Sequence, residues 1–267
     1  MLFGGNSRNK TPRQSCLLRP ENFVKSLYNR GEIIDTLFKM TRLIRDNYFN
    51  SYGWGDRMEE IRFCPEHGFY RGEICSCGFK GEVILERDKV ERLGRFISGI
   101  LRHFPDKFKL EMDENGWVDF EKLVKITERK FRWANRWLIK ALVYSDVKER
   151  YEIKNEKIRA RYGHSVKVKL KDYPTAEEDI LYYGTSEEEA HRMLEIGIKP
   201  VNQTFVHLST SIEKGMEVAM LRTDNPVIIE IDAKKAKEDG LRIIKANKFI
   251  ALAEEIPSKY IRRVIKL

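Results

Sequence analysis

Apolar positions between residues 90 and 101 recur every three or four places, so that Val90, Leu93, Phe96, Ile97, Ile100 and Leu101 fall on one face of a helix. Pro105 stops that helix just after Arg102 and His103, which are therefore expected at its C-terminal end. Asp113-Glu114-Asn115-Gly116 reads as a turn, Asp119 as the N-cap of a helix through Leu123 and Ile126, and Trp133, Trp137, Ala141 and Leu142 as the stripe of another helix. The pattern then shortens its period: Tyr151-Glu152-Ile153 and Lys157-Ile158-Arg159 flank a polar turn and predict a hairpin. Helices closed by a two-stranded wing predict a winged-helix lobe over residues 87–171, a shape found both on nucleic acids and at protein interfaces.

Around Lys171 to Asp179 the apolar pattern lapses, which predicts a linker. Beyond it, short strands and helices alternate. Ile180 to Tyr183 reads as a strand, and Ser186 with Glu189 as a capping box for a helix that ends at Gly197. Val206 to Ser209, Val227 to Ile231, Leu241 to Ile244, Phe249 to Leu252 and Ile261 to Ile265 supply further strand candidates. The expected fold class is α+β, with a compact mixed lobe over residues 179–267. Neither a GxGxxG after a strand nor a GxxxxGKS/T occurs, so a Rossmann unit and a P-loop are both excluded as phosphate cradles.

Charge divides the chain in the same places. Residues 87–171 carry 23 Lys and Arg against 13 Asp and Glu, whereas residues 172–267 carry 14 against 17, so the formal excess of +9 lives in the middle. One basic lobe beside a mildly acidic one implies that the first meets a polyanion. No run of residues reaches the roughly 18 apolar positions of a membrane span. Arg8, Lys10, Arg13 and Arg19 interrupt the segment where a secretory signal would need an apolar core, so a cytoplasmic protein is expected.

In a reducing compartment, three cysteines packed between positions 64 and 77 read as a metal site rather than a disulfide framework. Cys64-Pro65-Glu66-His67-Gly68 and Cys75-Ser76-Cys77-Gly78 present a CxxH and a CxC pair, each followed by a glycine that permits a tight turn. Four N/S ligands, Cys64, His67, Cys75 and Cys77, suit tetrahedral zinc in a closed, structural role. This gives a zinc-binding module over residues 58–86. Ahead of it, residues 1–57 form an extension of unassigned role, in which Ile34, Leu37, Phe38, Thr41, Ile44 and Tyr48 predict one amphipathic helix and Gly4 through Pro12 read as disordered. Met58 directly precedes the metal-binding segment and is a candidate start of a shorter chain. Cys16 stands apart and needs no function.

The order of several short motifs adds a resemblance. Leu101-Arg102-His103, Glu114-Asn115-Gly116-Trp117-Val118, Ile158-Arg159-Ala160, Gly163-His164-Ser165, Leu181 through Ser186, Val206-His207-Leu208-Ser209, Arg222, Ile229 through Ala233 and Ile256 through Ile261 follow one another as in the RNA (tRNA) 2′-phosphotransferase family, which this chain resembles from about Val90 onward. The resemblance implies an RNA-binding winged-helix lobe followed by an ADP-ribosyltransferase-type lobe that binds NAD. It implies a reactive set of Arg102, His103, Arg159 and Arg222, with Arg102, Arg159, Arg161 and His164 toward RNA. Tyr183, Gly184, Thr185, Ser186, His207 and Ser209 are then expected toward NAD. Tyr183 stands where members commonly carry His, and Arg161-Tyr162 where they carry Asn-Gln.

The partner expected is RNA carrying an internal 2′-phosphate, with no membrane and no obligate protein partner. Two other classes share parts of the pattern: an ADP-ribosyltransferase that leaves ADP-ribose on a nucleic-acid phosphate or a protein, and a non-catalytic zinc and winged-helix nucleic-acid-binding module. Simple ADP-ribosylation needs no phosphate-releasing step, and binding alone needs no arginines in both lobes. The set of four favours the phosphotransferase.

Overall fold

The computed structural model describes residues 59–266. The helix expected at 34–48, the segment expected to be disordered, Cys16 and Met58 lie outside them. The first described elements are three short strands, β1 (Ile61–Cys64), β2 (Gly68–Arg71) and β3 (Val83–Leu85), ordered β2-β1-β3 in an antiparallel sheet. Ile61 and Leu85 leave this sheet inward and join one apolar cluster with Val90, Leu93, Ile97, Ile100 and Phe120. The module that carries the cysteines therefore shares a core with the helices that follow it.

Those helices are α1 (Arg87–Arg102), α2 (Phe120–Lys130) and α3 (Arg136–Tyr144). The spacing of apolar positions accounts for α1, whose buried residues include Val90, Leu93, Ile97, Ile100 and Leu101. Asp119 caps α2 as expected, accepting from Lys122 N at 2.7 Å. Trp133 lies in the turn before α3, because Asn135 caps that helix by accepting from Leu138 N. A three-stranded sheet ordered β4-β6-β5 closes the group, with β4 at Val118–Asp119, β5 at Tyr151–Lys154 and β6 at Lys157–Ala160. The β5–β6 turn has two central residues, Asn155 and Glu156, both at positive φ, the geometry that follows the natural twist of a hairpin.

The second half is a six-stranded sheet ordered β10-β11-β8-β7-β9-β12. Its strands are β7 (Ile180–Ser186), β8 (Val206–Ser209), β9 (Pro226–Asp232), β10 (Ile243–Lys245), β11 (Ile250–Ala253) and β12 (Ile261–Lys266). Three helices, α4 (Glu187–Ile196), α5 (Ile212–Met220) and α6 (Ala233–Glu238), interrupt them. Central β7 and β9 pair along their whole length, from Ile180↔Asp232 to Ser186↔Pro226, and their buried faces fill a second apolar cluster.

The polar stretch read as a linker is not loose. Within it Tyr173 is buried, together with Val168 and Leu170 just ahead of it, in a third cluster with Phe205, Ile244 and Leu252, and Met112 and Tyr162 pack on it. Ala176 N donates to Ile243 O and Lys245 N to Pro174 O, so the segment lies along β10. The two halves are thereby mortared together over a shared apolar seam. Among the described residues, no helix is long and apolar enough to cross a membrane.

Candidate active site and metal centre

Helix α1 delivers the first two site residues. His103 N closes the helix on Gly99 O, and the ring of Phe104 folds back to within 2.5 Å of where a Cβ on Gly99 would stand, so glycine is required there. Arg102 O then accepts from Ser165 N at 2.9 Å and Val166 N at 3.3 Å, while His103 Nδ1 and Ser165 Oγ share a hydrogen bond of 2.9 Å. These bonds bring residues 162–166 across the helix end. The Arg102 guanidinium sits 5.0 Å from the centre of the Tyr162 ring and against Gly163, where a Cβ would come within 3.2 Å of it. Arg102 Nε and Nη2 are buried and have no hydrogen-bond partner among the described residues. A guanidinium with open, desolvated donors is chemically suited to an anion.

His207, on β8, reaches the same place from the second sheet. Its Nε2 accepts from Gly163 N at 3.0 Å, which leaves the ring proton on Nδ1 and ties the two halves together at the site. Burial, and then the charges of Arg102 and Arg222, push His207 down to about 4. His164 is 2% exposed with neither ring nitrogen bonded, and burial followed by Arg102, His207 and Arg159 pushes it to about 3. Burial, then Arg102, lowers His103 as well. Burial first, and then the positive field, depress three imidazoles, and such a field favours an anion.

A pH dependence follows. His164 and His207 start from an ordinary value of 6.5 when unfolded and are depressed when folded, so the unfolded chain binds more protons below that value. Their contribution to stability is complete above about pH 6.5 and drains away as pH falls through about 4 for His207 and about 3 for His164. The His164→Asn variant is accordingly expected to lose less melting temperature than the parent between neutral pH and about pH 4. Parallel declines in the two melting curves would refute this assignment.

Arg222 follows α5 and enters from the opposite side, its Nη1 lying 3.4 Å from Tyr183 Oη and 3.5 Å from Gly184 O. Gly184 lets α5 lie directly on β7: a Cβ there would fall 2.1 Å from Gly215 O. Thr185 and Ser186, expected toward a ligand, use their hydroxyls locally instead. Thr185 is fully buried and donates to Glu189, and Ser186 Oγ accepts from Glu189 N to cap α4. The capping box thus has only its Ser186 leg, since the Glu189 carboxylate turns to Thr185 Oγ1. Ser209 is buried on β8.

The structure brings Arg102, His103, His164 and His207 together, with Arg222 close enough to act on His207. It treats Arg159 differently. The Arg159 guanidinium is clamped between the rings of Trp117 and Tyr173, each 4.1 Å away. Its Nε and Nη2 donate to Glu152, and its Nη1 to Asp172 at 2.8 Å and to Asn115 O at 3.2 Å. Arg161 donates Nη1 to Ala246 O. Sequence reading missed Tyr162, whose ring contacts both Arg102 and His207, and Asp172, which it left in the linker. The adjacency of Tyr162 to Gly163-His164-Ser165 is the one local signal; Asp172 carries none.

The cysteine pairs converge as the spacing predicts. Gly68 at φ 76° turns β1 into β2 after His67, and Gly78 at φ 87° closes the second pair, with its N–H on Cys75 O. The ligand atoms of Cys64, His67, Cys75 and Cys77 all lie within 4.8 Å of one another. Cys64 Sγ stands 3.7 Å from His67 Nδ1 and 3.7 Å from Cys77 Sγ. Tetrahedral zinc with bonds of about 2.3 Å sets its sulfur ligands about 3.8 Å apart, so the cluster fits that ion. Burial opposes ionisation of Cys64, yet hydrogen bonds from His67 and Glu66 bring it down to about 6, toward the thiolate that a metal takes.

Comparison with known proteins agrees with this geometry. The family described as RNA 2'-phosphotransferase, Tpt1 / KptA family, matches residues 88–255. The chain is 74% identical over 208 residues to a probable RNA 2'-phosphotransferase 1 of Archaeoglobus fulgidus, an alignment that covers 78% of this chain and 96% of that protein. It is 49% identical over 202 residues to a probable RNA 2'-phosphotransferase of Methanosarcina barkeri, covering 75% and 97% respectively. A further relative, from Thermoplasma acidophilum, is 35% identical over 211 residues. With more than half of its length matched and whole-length relatives at this identity, the chain belongs to the RNA 2′-phosphotransferase family.

Proposed function

We propose that the protein is an NAD-dependent RNA 2′-phosphotransferase that removes an internal 2′-phosphate, of the kind left at a tRNA splice junction, by way of RNA carrying ADP-ribose on that phosphate. The observation that carries the reading is the Arg102 guanidinium, buried with open donors beside His103 and facing His207 across the junction of the two halves. In this reading α1–α3 and the β4–β6 sheet form the winged-helix, RNA-facing lobe over 87–171. Residues 179–267 form the ADP-ribosyltransferase-type lobe that takes NAD on the Arg222, Tyr183 and His207 side.

The chemistry asks for little proton abstraction. An RNA 2′-phosphate has a second pKa of about 6 and is already a nucleophile near neutral pH. Arg102 and Arg222 hold it against its electrophile and spread the developing charge. A phosphate oxygen attacks the nicotinamide-bearing ribose carbon, and nicotinamide leaves with the electrons of the broken C–N bond. The ribose 2-hydroxyl then attacks phosphorus, the bond from phosphorus to the RNA oxygen breaks, and RNA regains its 2′-hydroxyl as ADP-ribose 1,2-cyclic phosphate departs. In this reading His103 protonates the leaving RNA oxygen. A bound dianion offsets the Arg102 charge that otherwise lowers its proton affinity. Arg159 has four of its N–H donors committed and acts as a positioning residue, fixing the Asn115–Gly116 turn against His164.

Mixing the purified protein with a 2′-phosphorylated oligonucleotide and NAD is expected to yield 2′-hydroxyl RNA, nicotinamide and cyclic phosphate in equal amounts. A product that stops at ADP-ribosylated RNA would instead identify a simple ADP-ribosyltransferase, and an absence of NAD consumption a binding module.

The metal has its own expected result. Cys64, His67, Cys75 and Cys77 hold one zinc per chain in a closed, structural site, so elemental analysis should return one equivalent and chelation should lower the melting temperature. Activity lost on mild chelation with the fold intact would contradict the structural role.

A further inference from the structure

A cleft of about 670 Å³ has Arg159 and Arg161 in its lining but none of Arg102, His103, His164, His207 or Arg222. One wall is the β5–β6 hairpin and the other the turn between β10 and β11, and the two are joined by Arg161 Nη1 on Ala246 O and by Asn247 Nδ2 on Lys148 O. The Asn247 side chain is buried and uses its Oδ1 on Phe249 N and Ile250 N, so the junction is rigid.

Six cationic side chains face three acidic ones in this cleft. Glu152 and Asp172 share the single charge of Arg159, Glu149 meets Lys248 only in an exposed pair, and Lys245 is held by Glu178 from outside the lining, so six cations against three carboxylates leave the lining a net charge of +3. Lys154, Lys157, Arg161 and the exposed Lys248 therefore set its character. Lys154 and Lys157 are paired directly across the hairpin, a placement of like charges that costs stability. Asp113 relieves Lys157 at 3.5 Å, but Lys154 has no carboxylate within ion-pair distance among the described residues. Sequences break such local rules chiefly where a ligand compensates.

We propose that this cleft binds the phosphodiester backbone of the RNA that flanks the modified nucleotide, so that the RNA footprint crosses from the first lobe onto Lys245 and Lys248 of the second. The inference rests on the reading that RNA is the substrate. Two residues of extended chain, about 7 Å, separate Arg161 from Gly163 at the reaction site, a distance that one strand of RNA bridges readily. The cleft supplies cations from both lobes, so a single-stranded backbone gains contacts that a mononucleotide does not.

The test is the Lys154→Ala/Lys248→Ala double variant, since both side chains are exposed and neither belongs to the reaction site. The probe is an RNA of about 12 nucleotides without a 2′-phosphate, followed by fluorescence anisotropy across a salt series. Affinity should fall by about tenfold, and the slope of log affinity against log salt should shrink by about 1.4, the share of two single-strand phosphates. In turnover, KM for a long 2′-phosphorylated RNA should rise while kcat, and both constants for a 2′-phosphorylated dinucleotide, stay at the parent values. Unchanged affinity and slope overturn the proposal, as does equal harm to the dinucleotide, which would place the lysines at the reaction site. Displacement of the RNA by polyglutamate at matched charge would mark a site for acidic protein and overturn it too. A protein that binds RNA through the cleft but never consumes NAD would fault the proposed reaction and leave the cleft standing.

Discussion

Replacing Arg102 or Arg222 with Ala is expected to lower kcat at least a hundredfold while leaving the melting temperature close to that of the parent. The first part follows from the chemistry: a donor aimed at developing charge in a water-poor site contributes about 3–4 kcal/mol, or about 10²- to 10³-fold in rate. The second follows from the geometry. Arg102 Nε and Nη2 satisfy no partner in the free protein, and Arg222 makes only long contacts of 3.4 and 3.5 Å, so folding gains little from either. Lysine should rescue poorly, because an ammonium is a point charge that cannot reproduce the planar fork. Arg159→Ala is expected to differ, losing stability along with rate, since it strips Glu152 and Asp172 of their shared cation. Single-turnover assays beside melting curves separate the two behaviours. His103→Ala should divide the reaction itself, accumulating RNA that carries ADP-ribose on its 2′-phosphate because the leaving oxygen lacks a proton. Arg102 and Arg222 variants that convert 2′-phosphorylated RNA at the parent rate would place the reaction elsewhere.

Gly184→Ala is expected to be as damaging to the fold as those arginine variants are to the chemistry. The new Cβ would stand 2.1 Å from Gly215 O, 2.9 Å from Ala219 N and 3.0 Å from Ala219 Cβ, and two of these three are backbone atoms of α5 that cannot rotate aside. Helix and strand must separate, at a cost of about 1–3 kcal/mol or more. For a folded unit of this size each kcal/mol lowers the melting temperature by about 2–4 °C. Turnover should fall too, because Arg222 rests on Gly184 O and moves with α5. A Gly184→Ala protein that melts with the parent would show that the contact yields more easily than its atoms suggest.

The sequence was readable wherever a contact is local. Apolar spacing locates α1 and its end at Arg102, Asp119 announces α2, and Val206-His207-Leu208-Ser209 is β8 residue for residue. The cysteine spacing announces a cluster whose four ligand atoms do converge. Reading failed where the partner is distant along the chain. Arg159 alternates off the apolar face of β6 as a site residue should, but nothing nearby reveals that Trp117 and Tyr173 will close on it from either side. The stretch from Lys171 to Asp179 looks polar because its anchor Tyr173 stands among charged residues and, with Val168 and Leu170 just before it, meets its apolar partners only in the folded seam. Thr185 and Ser186 resemble ligand-facing residues by motif, and the needs of the adjoining helix claim both.

The sharing of one apolar cluster between the cysteine-bearing sheet and α1 separates two boundaries that are easily confused. The family match begins at residue 88, yet the core contains Ile61 and Leu85, which precede it. A chain trimmed to residues 88–255 would expose the inward face of Val90, Leu93 and Ile97 to water, and would be short of hydrophobic partners before any question of catalysis arose. Heredity and foldability thus agree here: alignments of 208 and 202 residues to whole relatives are too long to fit within residues 88–267 and so take in residues ahead of the family match, where the core also needs them.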